Sequence, residues 1–345
     1  MTRSIKIKTQ LKEHFIMKKI ILTLLVATSL VANAQEEKGT FTVSGTVDTY
    51  YTSNLKDNSL GSVGILYGGS GAANGFGLGM ANTIFSYEKG KAGVVADLTY
   101  GPRANAANAY EGAINQLYAY YKASDKITFS LGQFNTWYGY EVISPAGNFN
   151  YSVSYLFNAG PFSHTGLKMD YAASEDLSFM LAVTNPHGIT AGANPSTNYQ
   201  LGFQTGYKGQ YFNLAYGADG FGFNDVLYLD YTGGFDVSDS FFVGINAAYS
   251  NSSDADAGYQ GVALYLQNSF TDKFSLGLRP EYFMYTSGAG DTSVTAFTLS
   301  GNISLTESLN IIPEIRYDTS DDMIIPGFPT QDSMTGATLA AVYSF

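Results

Sequence analysis

Hydrophobic and polar positions alternate with period two along most of this chain. Phe41, Val43 and Val47 interleave with Thr42, Ser44, Thr46 and Asp48, and Ala92, Val94, Ala96, Leu98 and Tyr100 share a face opposite Asp97 and Thr99. Thr165, Leu167, Met169 and Tyr171 alternate with Gly166, Lys168 and Asp170; Leu177, Phe179, Leu181 and Val183 alternate with Ser178 and Thr184. Phe241, Val243, Ile245, Ala247 and Tyr249 continue the pattern, as do Leu309, Ile311, Ile315 and Tyr317 against Asn310, Glu314, Arg316 and Asp318. Strands with one apolar and one polar face suit a barrel with hydrocarbon outside and water inside. Short polar turns are predicted at 88–91, 124–126, 174–176, 208–210, 238–240, 271–273 and 306–308. Longer Gly-, Asn- and Ser-rich connections alternate with them, among them 54–77, 101–113, 139–161, 185–197, 250–257 and 318–335. Seven hairpins plus one strand at each end predict about 16 strands, with 14 to 18 admitted, in an all-β, transmembrane, antiparallel up-and-down β-barrel. Pro280 and Pro313 fall inside predicted strands, where a missing N–H breaks the ladder; they suggest bulges or misplaced boundaries.

Composition agrees with this reading. No stretch after the N-terminal segment approaches 18 consecutive apolar residues, so membrane helices are not expected. Charged residues make up only 14% of the chain, and Tyr (27), Phe (23) and Gly (38) are abundant, as expected of many short strands facing two environments. With no Cys, a disulfide scaffold and thiolate metal sites are excluded. Met17-Lys18-Lys19, the apolar run Ile20–Val31 and Ala32-Asn33-Ala34 form a signal-peptide pattern. It divides the chain into 1–34, a signal peptide with an upstream extension, and 35–345, a single barrel domain. Export to the outer membrane of a Gram-negative bacterium, with cleavage near Ala34, is the expectation.

Beyond residue 34 there are 12 Lys and Arg against 28 Asp and Glu. That balance opposes a nucleic-acid partner, which needs basic patches, and favours cations only where the acids line a pore. Candidate pore-lining residues on the predicted polar faces and in the long 139–161 connection are Asp48, Asp97, Glu141, His164, Lys168, Asp170, Asp230, Arg279, Glu281, Glu314, Arg316 and Asp318. For any one of them, a solvated and mutually paired wall is the plainer reading. The 139–161 connection has two readings, a constriction folded into the lumen or an external loop packed on its neighbours. His164 and His187 are too few and too far apart to suggest a metal site. Asp254, Asp256 and Asp321-Asp322 read as solubilising loop acids. Gly75-x-Gly77-x-Gly79 lacks the strand–turn–helix setting of a nucleotide fingerprint. No cofactor is called for. A nucleophile elbow and a Cys nucleophile are both lacking, and His164 beside Ser163 or Asp170 is a sequence coincidence. The chain ends Val342-Tyr343-Ser344-Phe345; Tyr343 and Phe345 resemble the terminal aromatic assembly signal of outer-membrane barrels, with the aromatic end anchoring at the membrane interface.

The middle of the chain resembles the OmpL-like β-barrel porin family. The residues that carry the likeness run from Gly139-Tyr140-Glu141-Val142-Ile143-Ser144-Pro145 through Asn148-Phe149-Asn150-Tyr151-Ser152 and Ser154-Tyr155-Leu156-Phe157 to Gly160-Pro161-Phe162-Ser163-His164-Thr165-Gly166-Leu167-Lys168. Val47-Asp48-Thr49-Tyr50-Tyr51, Tyr87-Glu88-Lys89-Gly90-Lys91 and Gln116-Leu117-Tyr118-Ala119-Tyr120-Tyr121-Lys122 flank them. The likeness is dense over 80–170 and thins beyond. It implies an outer-membrane location and a pore, and supplies neither a solute nor catalytic residues. The expected function is passive diffusion of small hydrophilic solutes or ions; a non-conducting structural or adhesion barrel, and less readily a barrel enzyme, are the alternatives. Expected partners are outer-membrane lipid and lipopolysaccharide, the barrel-assembly machinery during biogenesis, and the solutes themselves; a homo-oligomer is left open.

Overall fold

Sixteen antiparallel strands close into one ring in the computed structural model, which describes residues 38–55, 65–67, 70–71, 74–108, 113–186, 198–219, 223–320 and 332–345. The strands are β1 (Thr40–Asn54), β2 (Gly75–Lys89), β3 (Ala92–Tyr100), β4 (Ile114–Lys122), β5 (Ile127–Asn135), β6 (Ser163–Ala172), β7 (Leu177–Thr184) and β8 (Gln200–Tyr207). The second half comprises β9 (Gln210–Gly217), β10 (Val226–Asp236), β11 (Phe241–Ser252), β12 (Ala257–Thr271), β13 (Phe274–Ser287), β14 (Thr292–Ser304), β15 (Leu309–Thr319) and β16 (Ser333–Ser344). Each strand pairs with its sequence neighbours, and β1 pairs with β16 to close the seam. No helix among the described residues is long and apolar enough to cross a membrane; the crossing elements are strands. The signal-peptide segment, His187 and Asp321-Asp322 lie outside the described residues.

The seven predicted turns are the seven short connections, all at one end of the barrel. The other end carries the longer connections, although those after β11 and β13 span only four residues each, 253–256 and 288–291. Alternation sets the faces as expected: Leu181 is 52% exposed on the outer wall, while its neighbour Ala182, pointing inward, is 5% exposed. Outward aromatics gather in two girdles, as at the interfaces of a bilayer. Phe41, Tyr87, Tyr121, Tyr207, Phe235, Phe270 and Tyr343 mark the turn end, and Tyr51, Phe76, Tyr100, Tyr216, Tyr249 and Tyr317 the loop end.

The two prolines make neither bulges nor strand ends. Pro280 sits within β13 opposite Phe297, and on its other side pairing lapses between Ala263↔Glu281 and Leu266↔Leu278 without a change of register. Pro313 sits within β15 opposite Leu339, with a similar lapse between Ser300↔Glu314 and Ile303↔Ile311. Each ring costs a few ladder bonds on one side only, which long, doubly flanked strands tolerate. Two bulges occur beside buried carboxylates instead, and a third lies at the exposed β12–β13 turn, between Ser269 and Thr271. Between Val47 and Thr49 the β1–β2 register shifts, and Asp48 Oδ1 accepts the Met80 N–H at 2.9 Å. A Cβ on Gly79 would lie 1.6 Å from Asp48 Oδ2, so glycine is required there. Between Asp97 and Leu98 the β3–β4 register shifts, and Asn115 turns inward to donate to Asp97 Oδ2 at 2.5 Å.

The seam ends on Phe345. Its N–H donates to Gly45 O, and its carbonyl accepts from Gly45 N, each at 3.0 Å. Its ring lies where a Gly45 side chain would project, and a Cβ there would also come within 2.2 Å of Asn82 O.

At the loop end, Asp225 caps the β11–β12 turn. Its carboxylate accepts from Ser252 Oγ at 2.6 Å, Ser253 N at 2.9 Å and Asp254 N at 3.1 Å, and from Ser253 Oγ. The Ser252 hydroxyl first, then those of Ser253, hold the carboxyl down to about 2. A lowered folded value means that the cap's contribution is complete above the ordinary Asp range and disappears as pH falls through the lowered one. The Ser253 and Asp254 amide resonances should therefore titrate with a midpoint near 2; a midpoint near the ordinary ~3.9 would refute the cap.

The face assignment gives a second test. Leu181→Arg places a charge in hydrocarbon at mid-strand and should cost about 2–4 kcal/mol. Asp170→Asn, removing one partner of a half-exposed inward pair, should change stability by less than about 1 kcal/mol. Folding titrations in lipid measure both. Asp97→Arg and Ala182→Arg fall at buried inward positions, where a guanidinium has no room, and will also be costly.

Candidate functional site: the lumen segment and its charged wall

Residues 136–162, between β5 and β6, fold into the barrel instead of over its rim. A short 3-10 turn, Pro145–Gly147, and a helical turn α2, Tyr155–Ala159, are the regular pieces of this lumen segment. Irregular backbone enclosed by protein needs a hydrogen-bond partner for each polar group, and the inward charges of β13 and β15 supply several of them. Glu314 accepts the N–H of Tyr151 at 2.8 Å and of Ser152 at 3.1 Å. Glu281 accepts the N–H of Leu156 at 2.9 Å. Arg279 donates to Ser152 O, and Arg316 to Val153 O, both at 2.6 Å. Carboxylates thus take the segment's donors and guanidiniums its acceptors, as a neighbouring strand would.

The charges also neutralise one another. Arg279 Nη1 meets Glu141 Oε1 at 2.5 Å, both side chains being almost fully buried. The other Glu141 oxygen accepts from Ser154 N at 2.7 Å and Ser154 Oγ at 2.5 Å, and Ser154 Oγ accepts from Phe157 N at 3.0 Å to cap α2. Arg316 Nε donates to Asp318 Oδ1 at 2.8 Å. Its guanidinium lies 5.1 Å over the Tyr155 ring, whose hydroxyl reaches Asp318 at 3.2 Å. Two strands on from β15, across the seam, Tyr151 donates to Asp48 Oδ2 on β1 at 2.6 Å. Burial pushes the Tyr151 and Tyr155 phenols well above the usual range, so both remain proton donors.

Five further pore-lining candidates stand apart from this cluster. Asp230 on β10 accepts from Gly139 N at 3.0 Å, Asn213 at 2.7 Å and Asn246 at 2.6 Å, tying down the start of the segment. Asp97 is surrounded by the amides of Asn82, Asn115 and Gln116. His164 stacks on Trp137 at 3.9 Å between centroids, with Nε2 3.0 Å from Thr136 Oγ1. Lys168 and Asp170 pair at 3.0 Å on β6 in the more open part of the lumen, with side chains 24% and 44% exposed. Tyr343 and Phe345 lie on the turn-end rim, both exposed.

Arg103 is the residue that sequence reasoning missed. It sits in α1 (Pro102–Ala107), in the connection after β3, and is 1% exposed. It donates to Tyr151 O at 3.1 Å and lies 4.8 Å over the Tyr151 ring. The available signal was a lone Arg within the otherwise uncharged 101–110.

Residues 40–345 match the family model described as "Putative beta-barrel porin-2, OmpL-like". The chain belongs to this porin family. Its described architecture, a closed sixteen-strand barrel with girdled outer walls, is that of an outer-membrane channel protein. No curated protein matches it in sequence. Among solved structures, it is similar to the anion-selective porin of Comamonas acidovorans (12% identity, TM-score 0.62), covering 89% of this chain and 100% of that one. It is also similar to the outer-membrane channel DcaP of Acinetobacter baumannii (11% identity, TM-score 0.59; 90% and 99% covered). A third is a loop-deleted OmpT, an outer-membrane protein of Vibrio cholerae (14% identity, TM-score 0.58; 90% and 100% covered). At these identities the likeness is one of fold.

The Arg279–Glu141 pair is a sensitive point of this porin. Arg279→Met leaves a buried carboxylate without its cation and should destabilise the barrel by about 3–5 kcal/mol. Arg279→Met combined with Glu141→Gln should recover much of that loss. Urea titrations in lipid provide the comparison; equal losses in both variants would show that the guanidinium's bonds to the segment's carbonyls matter more than the ion pair.

Proposed function

We propose that this porin is a diffusion channel for small hydrophilic solutes and ions whose bore is set by the lumen segment. The observation that carries this reading is the segment's attachment to β1, β10 and β13–β15 at once, through side chains from opposite walls. A loop held in this way is a constriction, and passage is limited to the space it leaves. The wall charges, including Asp48, Asp97, Glu141, Asp170, Asp230, Glu281, Glu314 and Asp318 against Arg103, Lys168, Arg279 and Arg316, then bias permeation. Eight carboxylates against four bases favour cations, most strongly at low salt, where screening is weak. His164 bonds Thr136 and stacks on Trp137, an arrangement that supports a positioning role within a channel and gives no reason to read a hydrolase. The same proposal includes removal of residues 1–34 near Ala34, recognition of Tyr343 and Phe345 by the barrel-assembly machinery, and a homo-oligomeric state. A trimer form of the similar Vibrio cholerae OmpT (12% identity, TM-score 0.54) supports the last.

A second reading, a non-conducting structural barrel, is favoured by one feature. Inward residues at the loop end, such as Thr52, Thr184, Gln200 and Asp318, are all at most 1% exposed. Planar-bilayer recording separates the two. The channel reading expects discrete conductance with a reversal potential showing modest cation preference in a KCl gradient. It also expects conductance to rise by about twofold or more when Arg279→Gln and Arg316→Gln together loosen the segment. Heat-modifiable gel migration identifies folded protein. A silent bilayer with folded protein would establish the structural barrel, and anion preference would refute the charge argument.

A further inference from the structure

Beneath the lumen segment, a cavity of about 700 Å³ opens toward the turn end, beside the Lys208-Gly209 turn. Its size is that of a small-ligand pocket. Its walls are neutral where they are deepest. Trp137 and Tyr140 descend from the lumen segment, and Tyr211 and Phe242 face in from β9 and β11, with Gln204 and Thr232 between them. The rings have been given room: a Cβ on Gly202 would strike Trp137 at 2.3 Å, and one on Gly244 would meet Tyr140 at 2.8 Å. Trp137 has one face on His164 and Tyr140 one face on Tyr265, at 3.9 and 4.0 Å between centroids. Each is thereby fixed in orientation, with its remaining face or edge turned to the cavity.

Of the charges that line the cavity or its mouth, Glu141 and Lys208 are engaged, and Asp236 stands exposed at the turn-end rim. Glu141 is held by Arg279 and Ser154, and at the rim Lys208 pairs with Asp176 at 3.6 Å. An ionic ligand would meet no deep unpaired opposite charge. A flat, uncharged, hydroxyl-rich ring has the matching chemistry: its C–H faces stack on aromatic rings, and its hydroxyls exchange hydrogen bonds with amide and hydroxyl groups. We propose that this cavity is a binding site for neutral sugars of one or two rings, entered from the turn end. This deepens the channel reading and rests on it, since bound sugar would be in transit.

Trp137 is the chain's single tryptophan, so its emission reports on the cavity directly. The full-length folded porin in detergent is titrated with cellobiose, and with mannitol, an acyclic polyol without a ring face. Tyr140→Ala and Phe242→Ala are titrated in parallel, with heat-modifiable migration confirming their fold. The expected result is a saturable change with cellobiose, no saturable change with mannitol, and binding weakened by about tenfold in each variant. Absence of saturation with cellobiose, an equal response to mannitol, or unaltered binding in both variants would overturn the site. Bilayer recordings on the same preparation keep the two readings apart. Conductance without cellobiose binding defeats the sugar site and leaves the channel; binding without conductance supports the site and defeats its role in transit.

Discussion

Every main-chain polar group inside a closed barrel has to find a partner, and that constraint organises this molecule. The ring of strands satisfies itself, since β16 pairs with β1 and leaves no edge. The lumen segment cannot do so, because its backbone follows no strand. Its donors and acceptors are met by acidic and basic side chains from β13 and β15, placed two residues apart on the inward face, as Arg279 with Glu281 and Glu314 with Arg316 and Asp318. Charged wall and folded segment are therefore interdependent. Without the segment the charges would face water across an open lumen; without the charges the segment would hold buried, unsatisfied amides, each costing about 1–3 kcal/mol.

The barrel itself was legible in the sequence because its determinants are local. A period of two assigns Leu181 and Ala182 to opposite faces without knowledge of any partner, and each tight turn declares itself in three or four residues. The prolines were misread for the same reason. Local chemistry says that Pro280 breaks a ladder, but whether the register survives depends on how long its two neighbouring strands are.

The site was legible only by half. Alternation put Asp48, Glu281, Glu314, Arg316 and Asp318 on the inward face, yet it could not say what they meet. The contacts join residues 103 apart for Asp48 with Tyr151, 138 apart for Arg279 with Glu141, and 163 apart for Glu314 with Tyr151. No spacing rule spans such distances. Arg103 escaped notice because its role depends on a carbonyl in a different loop, and the bulges at Asp48 and Asp97 because each depends on the extra residue of the facing strand.

The lumen segment also changes what kind of mechanical object the barrel is. An empty hoop of strands resists stretching along its circumference but flattens easily, since small changes in the angle between neighbouring strands let it become oval. Here a strut crosses the hoop. Tyr151 joins Asp48 on β1 to Glu314 on β15, and Gly139 is fixed to Asp230 on β10. Ovalising the cross-section would pull buried ionic and hydrogen-bonded contacts apart, so the protein keeps its shape under uneven lateral pressure by internal bracing as well as by the stiffness of its wall.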